Sequence, residues 1–350
     1  MLAPGSTIGI LGGGQLGRMM AMSAAQLGYK VHVFAPDDHS VAAEVSAAHT
    51  RADWSDSAAM AAFADACDVI TYEFENVPVA PLLALDQAKL APGPLALEVA
   101  QDRLSEKTFV SELGGRPAPF AAVDSMADLE AAIAQFGTPA IVKTRRDGYD
   151  GKGQWRIASA ADISASEVAA TPMVFEGFVT FEAEFSVILV RGRDGEVRFW
   201  DSTHNTHEHG ILAHSVLPAP AIVGEQVEAA RALAQRIAEA LGYVGVMTCE
   251  FFATADGPVF NEMAPRVHNS GHWTIEGAVT SQFENHVRAI AGLPLGDTST
   301  MAAKIVMDNL IGPEAFDIAR HLSDPRAHLH LYGKREAREG RKMGHITRVG

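Results

Sequence analysis

The 350-residue chain carries 28 Lys and Arg against 43 Asp and Glu, a formal charge of −15, and 47% of it is hydrophobic. That length predicts two or three domains, and the acidic balance argues against nucleic acid or an anionic membrane surface as a partner. No window approaches 18 uninterrupted apolar residues, so no transmembrane helix is expected. The start, Met1-Leu2-Ala3-Pro4-Gly5, lacks the basic and long apolar regions of a signal peptide. Cys67 and Cys249 lie far apart in apolar stretches and read as buried free thiols of a reducing cytoplasm.

In chain order, Thr7 to Leu11 reads as a strand that meets glycines, followed by a helix over Arg18 to Leu27 that stops at Gly28. Lys30 to Phe34 and Val69 to Tyr72 are further strands, and this strand–helix alternation predicts a doubly wound parallel sheet. Ligands bind such sheets at the carboxyl ends of the strands, where Gly14, Gln15, Glu73 and Asn76 fall. After the turn Pro92-Gly93-Pro94, a helix over Asp102 to Leu113 and an amphipathic helix over Asp128 to Phe136 precede a short buried strand, Ala140 to Lys143. Phe181 to Val190 alternates and returns through Val197 to Trp200 as a hairpin. A helix over Val227 to Leu241, a second hairpin (Val244 to Phe252, Pro258 to Glu262) and a helix over Gln282 to Ala291 follow.

Two distant segments are chemically complementary. The strand ending in Lys143 feeds Asp147-Gly148-Tyr149-Asp150-Gly151-Lys152-Gly153-Gln154, a cation followed by a glycine loop whose backbone N–H groups can converge on phosphate. The second hairpin delivers Glu250 and Glu262 at equivalent strand ends, flanked by Phe251, Phe252 and Phe260. Carboxylates in such surroundings need a cation or hydrogen-bond donors, and Mg²⁺ is held by one or two carboxylates together with substrate phosphates. The loop Arg266 to Trp273 follows directly; its cation, imidazole and amide suit a small planar oxyanion.

Other motifs leave alternatives open. Gly12-Gly13-Gly14-Gln15-Leu16-Gly17 fits G-x-G-x-x-G, and Asp37 lies about 20 residues on, as in an NAD site. The same glycines suit close approach to any phosphate or ribose at a helix N-terminus, or merely a tight turn. His204, His207, His209 and His214 cluster with Glu208, but the spacing is not that of structural zinc and no Cys is near. Lys334, Arg335, Arg338, Arg341 and Lys342 form a basic cluster in an acidic chain, either a small-anion site or a solvated face.

Taken together, the chain resembles the ATP-grasp ligases and, within them, the N5-carboxyaminoimidazole ribonucleotide synthetase family. The matching segments are Gly12 to Met19, Glu73 to Val77, Asp147 to Gln154, Thr203 to His207, Asn261 to Trp273, Tyr332 to Lys334 and Gly340 to His345, in the family's order. The resemblance implies an α/β ATP-grasp fold with an N-terminal doubly wound domain (1–100), an ATP-grasp domain (101–295, with a lid at about 115–180) and a small C-terminal domain (296–350). It implies a cytoplasmic homodimer that takes ATP, Mg²⁺ or Mn²⁺, bicarbonate and aminoimidazole ribonucleotide.

Residue by residue, it assigns ATP to Arg103, Lys143, the loop Gly148, Tyr149, Asp150, Gly151, Lys152, Gly153 and Gln154, and the adenine segment Glu176, Gly177, Phe178 and Val179. Glu184 would take the ribose hydroxyls, with His207, Asn261 and Glu262 also at the nucleotide, and Glu250 and Glu262 would hold the metal. Gln15, Leu16, Glu73, Asn76, Tyr149 and Lys152 fall to the ribonucleotide, and Lys334, Arg341 and Lys342 to its phosphate. Asp150, Arg266, His268 and Asn269 are the implied catalytic group. The competing expectations are a formate-dependent glycinamide ribonucleotide transformylase-like ligase, an NAD oxidoreductase and a non-catalytic nucleotide-binding module. The oxidoreductase reading leaves Glu250, Glu262 and the loop at 148–154 without a role.

Overall fold

The computed structural model describes residues 1–148 and 153–350. Its first sheet is parallel throughout: β1 (Thr7–Leu11), β2 (Lys30–Phe34), β3 (Ala48–Thr50) and β4 (Val69–Tyr72), in the order β3-β2-β1-β4. β1 and β4 are almost wholly buried, as parallel strands covered on both faces must be. The first helix runs Gln15–Gln26, three residues earlier than the expected start at Arg18. The reason is tertiary. The Glu73 carboxylate, just past β4, accepts from the amides of Gly14 and Gly17 and so satisfies donors at the helix start.

The helix Arg103–Glu112, N-capped by the Asp102 carboxylate, leads out of this region. A second, antiparallel sheet follows: β5 (Phe120–Val123), β6 (Ala140–Thr144), β7 (Gln154–Ile157) and β8 (Met173–Gly177), in the order β5-β8-β6-β7. Val142, Phe175 and Met173 join Leu129 and Ala132 of the helix Met126–Phe136 in its core.

The third sheet has nine strands: β9 (Ala183–Arg191), β10 (Val197–Phe199), β11 (His204–Glu208), β12 (Ile211–Leu217), β13 (Gly245–Thr254), β14 (Gly257–Ala264), β15 (Ile305–Ile311), β16 (Ala327–Leu331) and β17 (Lys342–Val349). Its order is β14-β13-β9-β11-β12-β15-β17-β16, with β10 on β9. The helix Ala221–Ala240 covers β9 and β13; it starts six residues before the expected Val227, because Val223 is buried in the same core as Leu233 and Ile237. The C-terminal strands gave no clear sequence signal. They attach through β12–β15 pairing, in which His214 faces Asp308. Among the described residues no helix is long and apolar enough to cross a membrane.

The Asp102 carboxylate accepts from the amides of Leu104 (3.0 Å) and Ser105 (3.2 Å) and lies 3.4 Å from Arg146. Asp102→Ala is expected to cost about 0.5–2 kcal/mol of stability, read by urea denaturation; a smaller loss would mean that the helix is held by packing alone.

Candidate active site

The register of β13 and β14 places Glu250 directly opposite Glu262, with a bulge immediately after Glu250. A bulge re-aims neighbouring side chains, and here the two carboxylates are close enough for the charge of Glu262 to act on Glu250. Glu250 is buried, whereas the Glu262 side chain stays 42% exposed and therefore open to an incoming ligand. Burial raises the Glu250 pKa and the Glu262 charge raises it further. Burial also acts on Glu262, but Arg103 and Lys143 outweigh it and hold that carboxyl below its ordinary value. Such a pair fits a divalent cation, which would relieve the repulsion. Among the described residues no group of three or more His, Cys, Asp or Glu could hold a metal alone; a cation on this pair would draw its other ligands from phosphate oxygens and water.

Around this pair stands a network of alternating charge. Arg103 Nη1 donates to Glu262 Oε2 at 3.1 Å, and Arg103 Nη2 to the Gly148 carbonyl at 3.0 Å. Lys143, at the end of β6, donates to Glu176 Oε2 of β8 at 2.8 Å. Lys107 Nζ approaches Glu176 Oε1 at 3.3 Å and donates to the Asn261 carbonyl at 3.1 Å. Burial opposes the Glu176 charge, yet the two lysines prevail and bring its pKa down to about 2. The Glu176 side chain, in the segment expected at the adenine, is engaged by these two cations. The Gly177 and Phe178 amides donate to the carbonyls of Pro119 and Pro139. The Arg156 guanidinium lies over the Phe178 ring.

The glycine-loop residues Tyr149, Asp150, Gly151 and Lys152 lie outside the described residues. Gly153 has φ +69°, and a Cβ there would meet Thr144 Oγ1 at 2.7 Å, so glycine is required. Gln154 begins β7 opposite Lys143. Glu184 on β9 and His207 on β11 pair at 2.6 Å. Burial disfavours the imidazolium, but Glu184, Glu250 and Glu262 outweigh it and raise the His207 pKa. His214 turns to Asp308, at 2.7 Å.

The N-terminal glycine motif has a different occupant from a dinucleotide. The Glu73 carboxylate accepts from the Gly14 amide at 2.7 Å and from that of Gly17 at 3.4 Å. A Cβ at Gly12 or Gly14 would come within 2.6 or 2.8 Å of the Glu73 side chain. The helix N-terminus that would hold a pyrophosphate is filled by the protein's own carboxylate, which removes the basis for the NAD reading. Gln15 and Asn76 are half-buried beside it; Leu16 packs into the core, leaving only its backbone for a ligand.

Arg266 pairs with Glu75 at 2.6 Å, tying the loop after β14 to the loop after β4. The Ser270 amide donates to His268 Nδ1 at 3.3 Å, which selects the tautomer with hydrogen on Nε2, 3.5 Å from Glu250. Burial, then Arg266 and Lys342, keep this imidazole neutral. It is therefore arranged as a hydrogen-bond donor. Both side-chain polar atoms of Asn269 are buried without a partner among the described residues, as expected of a group awaiting a polar ligand. Lys334 Nζ donates to the Lys342 carbonyl at 2.7 Å and lies over the Tyr332 ring; its charge reaches Glu73. Arg341 donates to the Glu336 carbonyl at 3.0 Å.

Family comparison agrees with this layout. Residues 5–101 match the ribonucleotide synthetase preATP-grasp domain, 108–283 the ATP-grasp domain and 305–350 the phosphoribosylaminoimidazole carboxylase C-terminal domain. The chain is 50% identical to N5-carboxyaminoimidazole ribonucleotide synthase of Brucella melitensis, over 99% of its own length and 97% of that protein. The chain belongs to the N5-carboxyaminoimidazole ribonucleotide synthase family. It is thus an ATP-grasp ligase of purine biosynthesis. It superposes on an ADP complex of an N5-carboxyaminoimidazole ribonucleotide synthetase with a TM-score of 0.93 and 40% identity, covering 100% of this chain and 94% of that one. The Aspergillus clavatus synthase, in complex with ADP and 5-aminoimidazole ribonucleotide, gives 0.89 and 32%, covering 99% and 94%.

Sequence reasoning missed Glu75, Glu106 and Lys107. A signal existed for the last two: consecutive charges where the apolar stripe of a helix should run. Burial raises the Glu106 pKa to about 8. The folded state therefore holds a proton that the unfolded state releases near the ordinary glutamate value. That contribution is complete below about pH 4.5 and is lost as pH rises to about 8. Glu106→Gln keeps the acceptor and removes the titration. Its melting temperature relative to wild type should climb between pH 5 and 8; a flat difference would contradict the assignment.

Proposed function

We propose that this ligase activates bicarbonate with ATP and carboxylates the exocyclic amine of 5-aminoimidazole ribonucleotide, releasing ADP and phosphate. The observation that carries the reading is the convergence of three groups. They are a carboxylate pair on β13 and β14, a buried lysine of β6 whose charge acts on Glu262, and the unpartnered Asn269 amide next to His268, which lies 3.5 Å from Glu250. The Aspergillus clavatus complex with ADP and aminoimidazole ribonucleotide supports the choice of substrates.

In this reading a bicarbonate oxygen attacks the γ-phosphorus, the bond to ADP breaks, and carboxyphosphate forms. The amine nitrogen then attacks the carbon of carboxyphosphate, expelling phosphate, or that of CO₂ released from it together with phosphate, and one amine proton is lost. Lys143 and Arg103 face the phosphates, and Asn261 and the loop at 148–154 complete their cradle. Glu250 and Glu262 would hold Mg²⁺, which neutralises charge on the phosphates when bound. Arg266, the Nε2–H of His268 and the Asn269 amide donate to the carboxyl oxygens. Asp150, with Tyr149 and Lys152, orients the amine. Glu184 and His207 take the nucleotide ribose side; Gln15, Glu73 and Asn76 flank the imidazole. Lys334, Arg341 and Lys342 bind the ribonucleotide phosphate. Domain limits near residues 100 and 295, with a lid at about 115–180, belong to the same reading; the lid sheet carries Lys143 and Glu176 on its inner strands.

ADP release should require both aminoimidazole ribonucleotide and bicarbonate, with ¹³C from bicarbonate appearing in a carbamate. Formate-dependent release with glycinamide ribonucleotide would transfer the chain to the transformylase reading. Glu250→Gln and Glu262→Gln should each lower turnover at least about tenfold, roughly 1.4 kcal/mol of transition-state stabilisation, and near wild-type turnover at limiting Mg²⁺ would remove the metal assignment. Lys334→Ala should weaken aminoimidazole ribonucleotide binding about ten- to hundredfold, the loss of one charge-assisted hydrogen bond, with ATP affinity unchanged. An equal loss for ATP would move the basic cluster to the nucleotide.

A further inference from the structure

Three residues of the helix Arg103–Glu112 grip one short stretch of β14. Arg103 holds the Glu262 carboxylate at 3.1 Å. Glu106 Oε1 accepts from the Met263 amide at 2.6 Å, immediately after Glu262. Lys107 donates to the Asn261 carbonyl at 3.1 Å, immediately before it. Residues three and four apart share a helix face, so 103, 106 and 107 address the same strand segment.

Glu106 and Lys107 are 2% and 1% exposed. Burying two ionisable side chains in a helix is costly unless each finds a partner. An apolar pair would serve packing better. Both instead bind backbone atoms on either side of one carboxylate, and Lys107 alone also reaches Glu176 of the second sheet, 3.3 Å away. Glu176 in turn binds Lys143 at 2.8 Å. A single ammonium thus connects the strand that carries Glu262 to the strand pair that carries the phosphate lysine.

We propose that Glu106 and Lys107 are positioning residues: they clamp the backbone flanking Glu262 and fix its carboxylate relative to Lys143, so that metal and triphosphate are met at one spacing. The proposal rests on the metal reading of Glu250 and Glu262 given above. Neither residue touches the reacting atoms. When phosphate oxygens draw Lys143 away from Glu176, Lys107 remains as that carboxylate's cation, so the network does not strand a buried charge.

The test compares Lys107→Met, Lys107→Arg and Glu262→Gln with wild type. Mn²⁺ binding in the presence of ADP is followed by electron paramagnetic resonance, and the Mg²⁺ requirement and KM for aminoimidazole ribonucleotide are measured alongside. Lys107→Met should weaken Mn²⁺ binding about tenfold, the loss of one buried charged hydrogen bond, and raise the Mg²⁺ requirement in step. KM for the ribonucleotide should stay within about twofold, because the clamp does not reach that site. Lys107→Arg keeps the charge but not the compact head, and should fall between wild type and Met; if Lys107→Met does not fold, this variant decides the matter. Wild-type Mn²⁺ binding in a folded Lys107 variant, with Glu262→Gln impaired, overturns the clamp alone. Wild-type binding in Glu262→Gln overturns the metal reading beneath it.

Discussion

Two carboxylates held face to face by a strand register are the constraint on which the rest of the site depends. Glu250 and Glu262 are fixed opposite each other by backbone hydrogen bonds, so they cannot separate without breaking the β13–β14 ladder. Like charges at that spacing cannot both ionise cheaply in a poorly solvated place. The surrounding charges answer this asymmetrically. Arg103 and Lys143 stabilise the Glu262 charge, while Glu250 faces a neutral His268 and a His207 that is already engaged with Glu184. A cation would relieve the repulsion on the Glu250 side, while Arg103 and Lys143 supply positive charge beside Glu262.

The same logic of occupied charge governs the N-terminal loop. A glycine motif ahead of a helix is an anion site by construction, and the anion here is internal. Glu73 fills it, and Arg266 and Lys334 bring positive charge to the same place from two other parts of the chain. Arg266 is itself tied to Glu75. The loop after β4 thus touches the glycine turn through Glu73 and the loop after β14 through Glu75, and ties three regions of the chain together.

Much of this was legible in the sequence, for physical reasons. Strands β1, β2 and β4 came through with the observed limits because short β-branched and apolar segments bounded by glycine or polar residues read as strands. Glu250, Glu262 and Lys143 were conspicuous because charges in apolar strands need a ligand or a partner; the structure places Glu250 and Glu262 inside β13 and β14 rather than at the expected ends. What escaped was long-range. Nothing local shows that Glu73 caps a helix 59 positions earlier, or that Lys107 reaches Asn261 across 154 positions. The literal G-x-G-x-x-G pattern pointed to a phosphate because its occupant lies far along the chain. The C-terminal strands were hidden because His328, His330, His345 and Thr347 interrupt their apolar pattern, and the structure pairs or stacks these polar residues inside the sheet.

The most direct test of the carboxylate pair is its own titration. ¹³C-carboxyl NMR of glutamate-labelled protein, assigned by loss of one signal in Glu250→Gln, follows Glu250 with and without Mg²⁺ and ADP. The account predicts a Glu250 carboxyl that titrates well above an ordinary glutamate in the free protein and drops below it once Mg²⁺ and ADP are added. A Glu250 titration that is ordinary in the free protein, or that does not move on adding Mg²⁺ and ADP, would contradict it.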